Sequence, residues 1–194
     1  MDDTTSARAD WLSRRADTYC IHGPGEVNGA DLVRIARTLA AEPWRFTQTA
    51  PAAPDDPAGV VVDKGRRRVR VEVATAVQGC VFMIRAMGGA GRCGLGDVAP
   101  LCCRMFPADP RSTMPEPDAT GEPSRAGLTA EELAELRRVW AGDRARWHET
   151  VRRWNQRNGR SDDDPLTAED FQRYLLEAEF ARQAGTAWPE EVGG

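Results

Sequence analysis

The chain has no apolar run approaching the roughly 20 residues of a membrane-spanning helix. Its acidic, polar start, Met1-Asp2-Asp3-Thr4-Thr5, is not followed by the apolar stretch of a secretory signal. Together these absences predict a cytoplasmic protein that does not engage a membrane. A basic surplus is also lacking: 26 Lys and Arg stand against 30 Asp and Glu, a net charge of -4. The densest basic run, Arg66-Arg67-Arg68 with Arg70, is too short for a nucleic-acid footprint. It reads instead as a strand edge kept solvated by charge. Ser-His-Asp, H-E-x-x-H, dinucleotide-binding and C-x3-C-x2-C radical patterns are all missing. Gly88-Gly89-Ala90-Gly91 is not followed by the Lys-Ser/Thr pair of a phosphate loop, and Asp162-Asp163-Asp164 before Pro165 reads as a solvated turn. Composition and motifs thus name no reaction, and whether the chain is an enzyme stays open.

What the chain does have is cysteine in one place. Four of its five cysteines, Cys80, Cys93, Cys102 and Cys103, fall within residues 80–103, with Cys20 upstream. In a reducing compartment a disulfide framework is disfavoured, and five is an odd count, so clustered thiols point to metal ligation or redox chemistry. None of the intervals is C-x-x-C, which excludes a zinc ribbon, a thioredoxin-type pair and a bacterial ferredoxin run. Glycines beside Cys80 and Cys93 leave backbone amides able to approach sulfur, which favours a site over isolated cysteines buried as small hydrophobes.

Helical and strand periodicities organise the rest. An amphipathic helix is expected over Ser6–Asp17, leading to Cys20. Asn28 caps a second, in which Leu32, Ile35, Ala36 and Leu39 recur on one face. Pro43–Phe46 reads as a helical turn and Ala50–Pro57 as a Pro-rich loop. Val60-Val61-Val62 and Arg68–Val73 form a hairpin around Asp63-Lys64-Gly65. Thr129 with Glu132, and Thr167 with Asp170, open two C-terminal helices. The first carries Leu133, Trp140, Trp147 and Trp154 at sevenfold spacing, widened by Leu136 and Val151. Tryptophans could stack bases or a cofactor, but this spacing predicts a buried seam. Phe171, Tyr174, Leu175, Ala178 and Phe180 supply the apolar face of the second. The expected architecture is α+β: a small cysteine-cluster core with a helix and a β-hairpin, then a C-terminal helical pair. Its boundaries are a metal-binding domain over 1–107, a Pro-rich linker over 108–127 and a helical hairpin over 128–194. Whether the hairpin packs on the core or serves as a partner-binding arm is left open.

Three segments together, Gly79-Cys80-Val81-Phe82-Met83, Gly91-Arg92-Cys93-Gly94-Leu95 and Ala99-Pro100-Leu101-Cys102-Cys103-Arg104-Met105-Phe106-Pro107, resemble the YkgJ-type cysteine-cluster family, a zinc- or iron-chelating domain. That family's pattern runs Cys-x-Phe-Leu, a Gly-rich turn, Cys-x-Ile-Tyr and Arg-Pro-x-x-Cys-Arg-x-Phe-Pro, with an upstream helix of the type Asp-x-x-Arg-Ile-Ala, matched by Asp31–Ala36. The resemblance covers residues 17–107. It implies four ligands, Cys20, Cys80, Cys93 and Cys103, holding one iron-sulfur cluster or one zinc or iron ion. Cys102 has no counterpart, Leu95-Gly96 replaces Ile-Tyr, Ala99 replaces the arginine before proline, and one upstream cysteine stands where the family has several. His22 is an alternate ligand, and His148 reads as a surface histidine. The expected function is therefore metal binding by a cysteine cluster. A cluster-dependent oxidoreductase or modifying enzyme acting through Cys102, and a zinc-stabilised interaction module whose C-terminal helices meet a protein partner, are the alternatives.

Overall fold

A computed structural model of the chain describes residues 20, 26–63, 65–77, 79–85, 91–106, 111, 128–158 and 166–185. The helix expected over Ser6–Asp17, His22, the glycine run before Gly91, nearly all of the Pro-rich stretch and Asp162–Asp164 lie outside these residues. The fold is α+β, with a C-terminal helical pair. It divides into two compact units, each built from two stretches of chain: Met1–Val27 with Val73–Asp143, and Asn28–Glu72 with Arg144–Gly194.

The second of these units begins with helix α1 (Gly29–Leu39). Asn28 accepts a hydrogen bond from the Asp31 N–H at 2.9 Å, and Asp31 reaches back to the Asn28 N–H at 3.4 Å, so two of the helix's orphan donors are satisfied reciprocally. Leu32 and Ile35 are fully buried, whereas Leu39, expected on the same face, is 43% exposed where the helix ends at Ala40. Pro43–Arg45 makes a single 3-10 turn. Three strands follow, β1 (Thr47–Pro51), β2 (Val60–Val62) and β3 (Arg67–Val73), in the order β1-β3-β2. β2 and β3 pair antiparallel, Val61 opposite Arg68, as the hairpin signal predicts.

The arginine-rich strand departs from expectation. β3 is the central strand, because the polar segment Thr47–Pro51 pairs along its other side. Charge on β3 therefore does not guard an edge. Arg67 pairs with Asp63 at 2.5 Å, and Arg70 reaches out to the buried carboxylate of Asp56.

Helix α3 (Ala130–Asn158) contributes Arg144 onward to this unit, and helix α4 (Ala168–Ala184) completes it. Thr167 and Asp170 form the capping box at the start of α4. Trp147 and Trp154 each make a T-shaped contact with the Phe171 ring at a centroid distance of 5.4 Å, an arrangement that suits the ring quadrupoles. Trp154 also donates its indole N–H to the Val61 carbonyl, and Asn155 bridges Val61 and Gly59. This part of the helical pair therefore packs on the sheet. Phe180 does not share the apolar face of α4: it is 53% exposed, since Phe171, Tyr174, Leu175 and Ala178 already define a stripe that position 180 falls outside. The Arg37 guanidinium covers its ring at 4.9 Å.

The other unit holds two short hairpins. β4 (Thr75–Ala76) pairs with β5 (Gly79–Cys80), and β6 (Met83–Arg85) pairs with β7 (Gly91–Cys93). A 3-10 turn over Gly96–Val98 leads to the short helix α2 (Leu101–Met105). Leu101 and Met105 join Leu128, Leu133 and Trp140 in a buried cluster, against which Phe106, Leu136 and Val139 pack. The start of α3 is capped as its sequence predicts: Glu132 accepts from the Thr129 N–H, and the Thr129 hydroxyl accepts from the Glu132 N–H. The tryptophan stripe is thus buried from end to end, divided between the cores of both units.

Candidate metal centre

All five cysteines belong to the unit formed by Met1–Val27 and Val73–Asp143. None of them forms a disulfide. Cys20 is 6% exposed, and Cys80 and Cys93 are half-buried. Cys80 ends β5 opposite Thr75, directly after Gly79, whose φ of 113° is a conformation that a side chain would strain. Cys93 ends β7 opposite Met83. The ladder thus sets Cys93 across from a residue three positions beyond Cys80. The Gly94 N–H is not available to sulfur in the way its position suggests, because it donates to the Phe82 carbonyl at 2.8 Å.

The remaining two cysteines lie on α2. Cys102 and Cys103 are both buried, and their Sγ atoms are 4.0 Å apart. Residues flanking them hold the helix in place: Leu101 is 3% exposed and Met105 is fully buried, both in the cluster with Trp140. The Cys102 thiol donates to the Glu26 carbonyl at 2.7 Å, and the Glu26 carboxylate pairs with Arg111 at 2.5 Å. The family resemblance gives Cys102 no counterpart. Its adjacency to Cys103 suggests divergent side chains, yet on this one turn of helix the two sulfurs lie close.

The donor chemistry suits a thiophilic ion. Bonds of about 2.3 Å in a tetrahedral thiolate site put its sulfurs about 3.8 Å apart, and the Cys102–Cys103 separation is near that edge. Among the described residues, however, no group of three or more His, Cys, Asp or Glu side chains stands close enough together to hold a metal ion. The expected set of Cys20, Cys80, Cys93 and Cys103 is therefore gathered in one unit but not converged on one point. His148, expected at the surface, belongs to the other unit, where it is half-buried and its charge acts on Asp56. Among the described residues no helix is long and apolar enough to cross a membrane.

No protein-family model, curated protein or solved structure matches the chain.

Proposed function

We propose that the chain is a cytoplasmic metal-binding protein whose cysteine-bearing unit takes up one iron-sulfur cluster, or a single zinc or iron ion, with Cys20, Cys80, Cys93 and Cys103 as ligands. The observation that carries this reading is segregation. Every cysteine lies in one compact unit, none is in a disulfide, and the other unit has none. Cysteines serving only as small core residues have no reason to avoid half of a chain whose two units both have cores.

The separation of the described sulfurs adds a requirement: uptake of the metal must be coupled to closure of the cysteine-bearing segments. Thiolate sites behave this way in general, because ligands without their ion repel or reprotonate and the free energy of binding becomes free energy of ordering. The surface supports such closure. Val77, Val81 and Ile84, all on or beside the hairpins that carry Cys80 and Cys93, are exposed. Drawing those hairpins inward would remove apolar surface from water.

Metal analysis of anaerobically purified protein tests the reading. Brown protein with iron and acid-labile sulfide identifies a cluster. Colourless protein with one zinc or iron per chain identifies a mononuclear site. Protein that carries no metal, and takes up neither iron nor zinc nor cobalt when its reduced thiols are titrated, sinks the proposal.

A further inference from the structure

We infer that Cys102 is a ligand of this centre, binding the ion beside Cys103 as a vicinal thiolate pair. The inference rests on the metal-binding reading and changes its ligand set, since the resemblance that supplied four ligands offers no counterpart for Cys102.

Geometry carries it. The two sulfurs stand 4.0 Å apart, near the edge of a thiolate tetrahedron, about 3.8 Å for bonds of about 2.3 Å. The pair is preorganised. Both residues sit on α2, which is pinned at its ends by Leu101 and Met105 and closed by backbone bonds from Arg104 N–H to the Pro100 carbonyl and from Phe106 N–H to the Cys102 carbonyl. An ion reaching Cys103 would find the second sulfur already positioned, without the ordering cost that Cys80 and Cys93 on their hairpins would bear.

The Cys102 thiol is directed at the Glu26 carbonyl, six residues after Cys20 in the chain. That bond requires a protonated thiol. Ligation is then an exchange in which the S–H bond breaks, the proton leaves to solvent, and the sulfur lone pair forms the bond to the metal. No electron is transferred. Each cysteine recruited as a protonated thiol releases one proton, so uptake strengthens as pH rises.

Cobalt(II) titration of the full-length reduced chain under anaerobic conditions tests the inference, because sulfur-to-cobalt charge-transfer absorbance scales with the number of thiolates bound. Cys102→Ser and Cys102→Ala are each expected to lower that absorbance per bound cobalt and to weaken binding by more than about tenfold, the lower bound set by losses typical of residues that only support a ligand. Circular dichroism and urea midpoints establish that the variants are folded. If neither folds, differential alkylation of the wild-type chain with and without cobalt decides, with Cys102 expected to gain protection in parallel with Cys103. Cys102 variants that keep full absorbance and affinity while Cys103→Ser loses both would overturn the inference and leave the metal-binding reading standing, as would cobalt protection of Cys103 without Cys102. A wild-type chain that takes up no cobalt overturns both.

Discussion

Trp154 donates its indole N–H to the Val61 carbonyl at 2.8 Å, tying helix α3 to strand β2 within one unit. The indole is 5% exposed and packs on Phe171 and Tyr174, so one side chain joins a helix, a strand and the last helix. Trp154→Phe keeps an aromatic ring but strands the carbonyl, and is expected to cost about 1–3 kcal/mol. Trp154→Ala adds a cavity and is expected to cost about 3–5 kcal/mol. Urea unfolding followed by circular dichroism measures both. Equal losses for the two variants would show that the hydrogen bond, not the ring, dominates.

Gly29 opens α1 where most helices would gain from alanine, by about 1 kcal/mol of helix propensity. Here the sign reverses. A Cβ at this position would stand 2.7 Å from Leu175 Cδ1 and 3.0 Å from Trp147 Cε3. Neither neighbour can swing away, since Leu175 is 1% and Trp147 3% exposed. Gly29→Ala is expected to destabilise by about 1–3 kcal/mol through overpacking. A urea midpoint at or above wild type would mean that the helices separate at little cost.

Thr167 caps α4 through its hydroxyl, which accepts from the Asp170 N–H at 3.2 Å, while Asp170 accepts from the Thr167 N–H at 2.8 Å. Thr167→Ala removes one half of this reciprocal arrangement and is expected to cost about 1 kcal/mol. Thr167→Asn, which restores an acceptor, is expected to recover most of it. Failure of asparagine to rescue would assign the loss to packing at the helix start instead.

The parts of this fold that were legible in the sequence depend on residues within one or two turns of each other. Asn28 with Asp31, Thr129 with Glu132 and Thr167 with Asp170 each place a helix start, because a cap is a contact across three positions. The seven-residue tryptophan spacing predicts a buried face for the same reason. Long-range features were not legible. Strand β1 is polar and carries a proline, so its only cause is the partner β3, and that pairing moved the arginine strand from an expected edge to the centre. The division into units joining residues far apart in the chain has no local signature either. Among the candidate ligands, spacing showed that cysteines cluster and could exclude known arrangements, but the proximity of the Cys102 and Cys103 sulfurs arises on a short helix whose anchoring partners, Leu128 and Trp140, come later in the chain.

Asp56 gives the unit that holds α1 a defined response to acid. Its burial works to raise the carboxyl pKa, but the hydrogen bond from Arg70, the Ala58 N–H and the charges of Arg70 and His148 outweigh this and hold it below the usual value of 3.8. A carboxylate depressed in the folded state adds stability above its unfolded pKa and loses it as pH falls through the lower folded value. The increment should therefore be complete at pH of about 5 and above, and fade below the usual value of 3.8. Asp56→Asn keeps the shape without the charge. Because Arg70 is 53% exposed, solvent screens the pair, and the variant is expected to be less stable at neutral pH by about 1–2 kcal/mol rather than by the larger loss of a fully buried pair. Urea midpoints at neutral pH and at pH of about 3 decide the matter through linkage: the gap between wild type and Asp56→Asn should narrow in acid. A gap that stays constant would mean that the asparagine is disfavoured for its shape and hydrogen bonds, with the ion pair contributing nothing to stability.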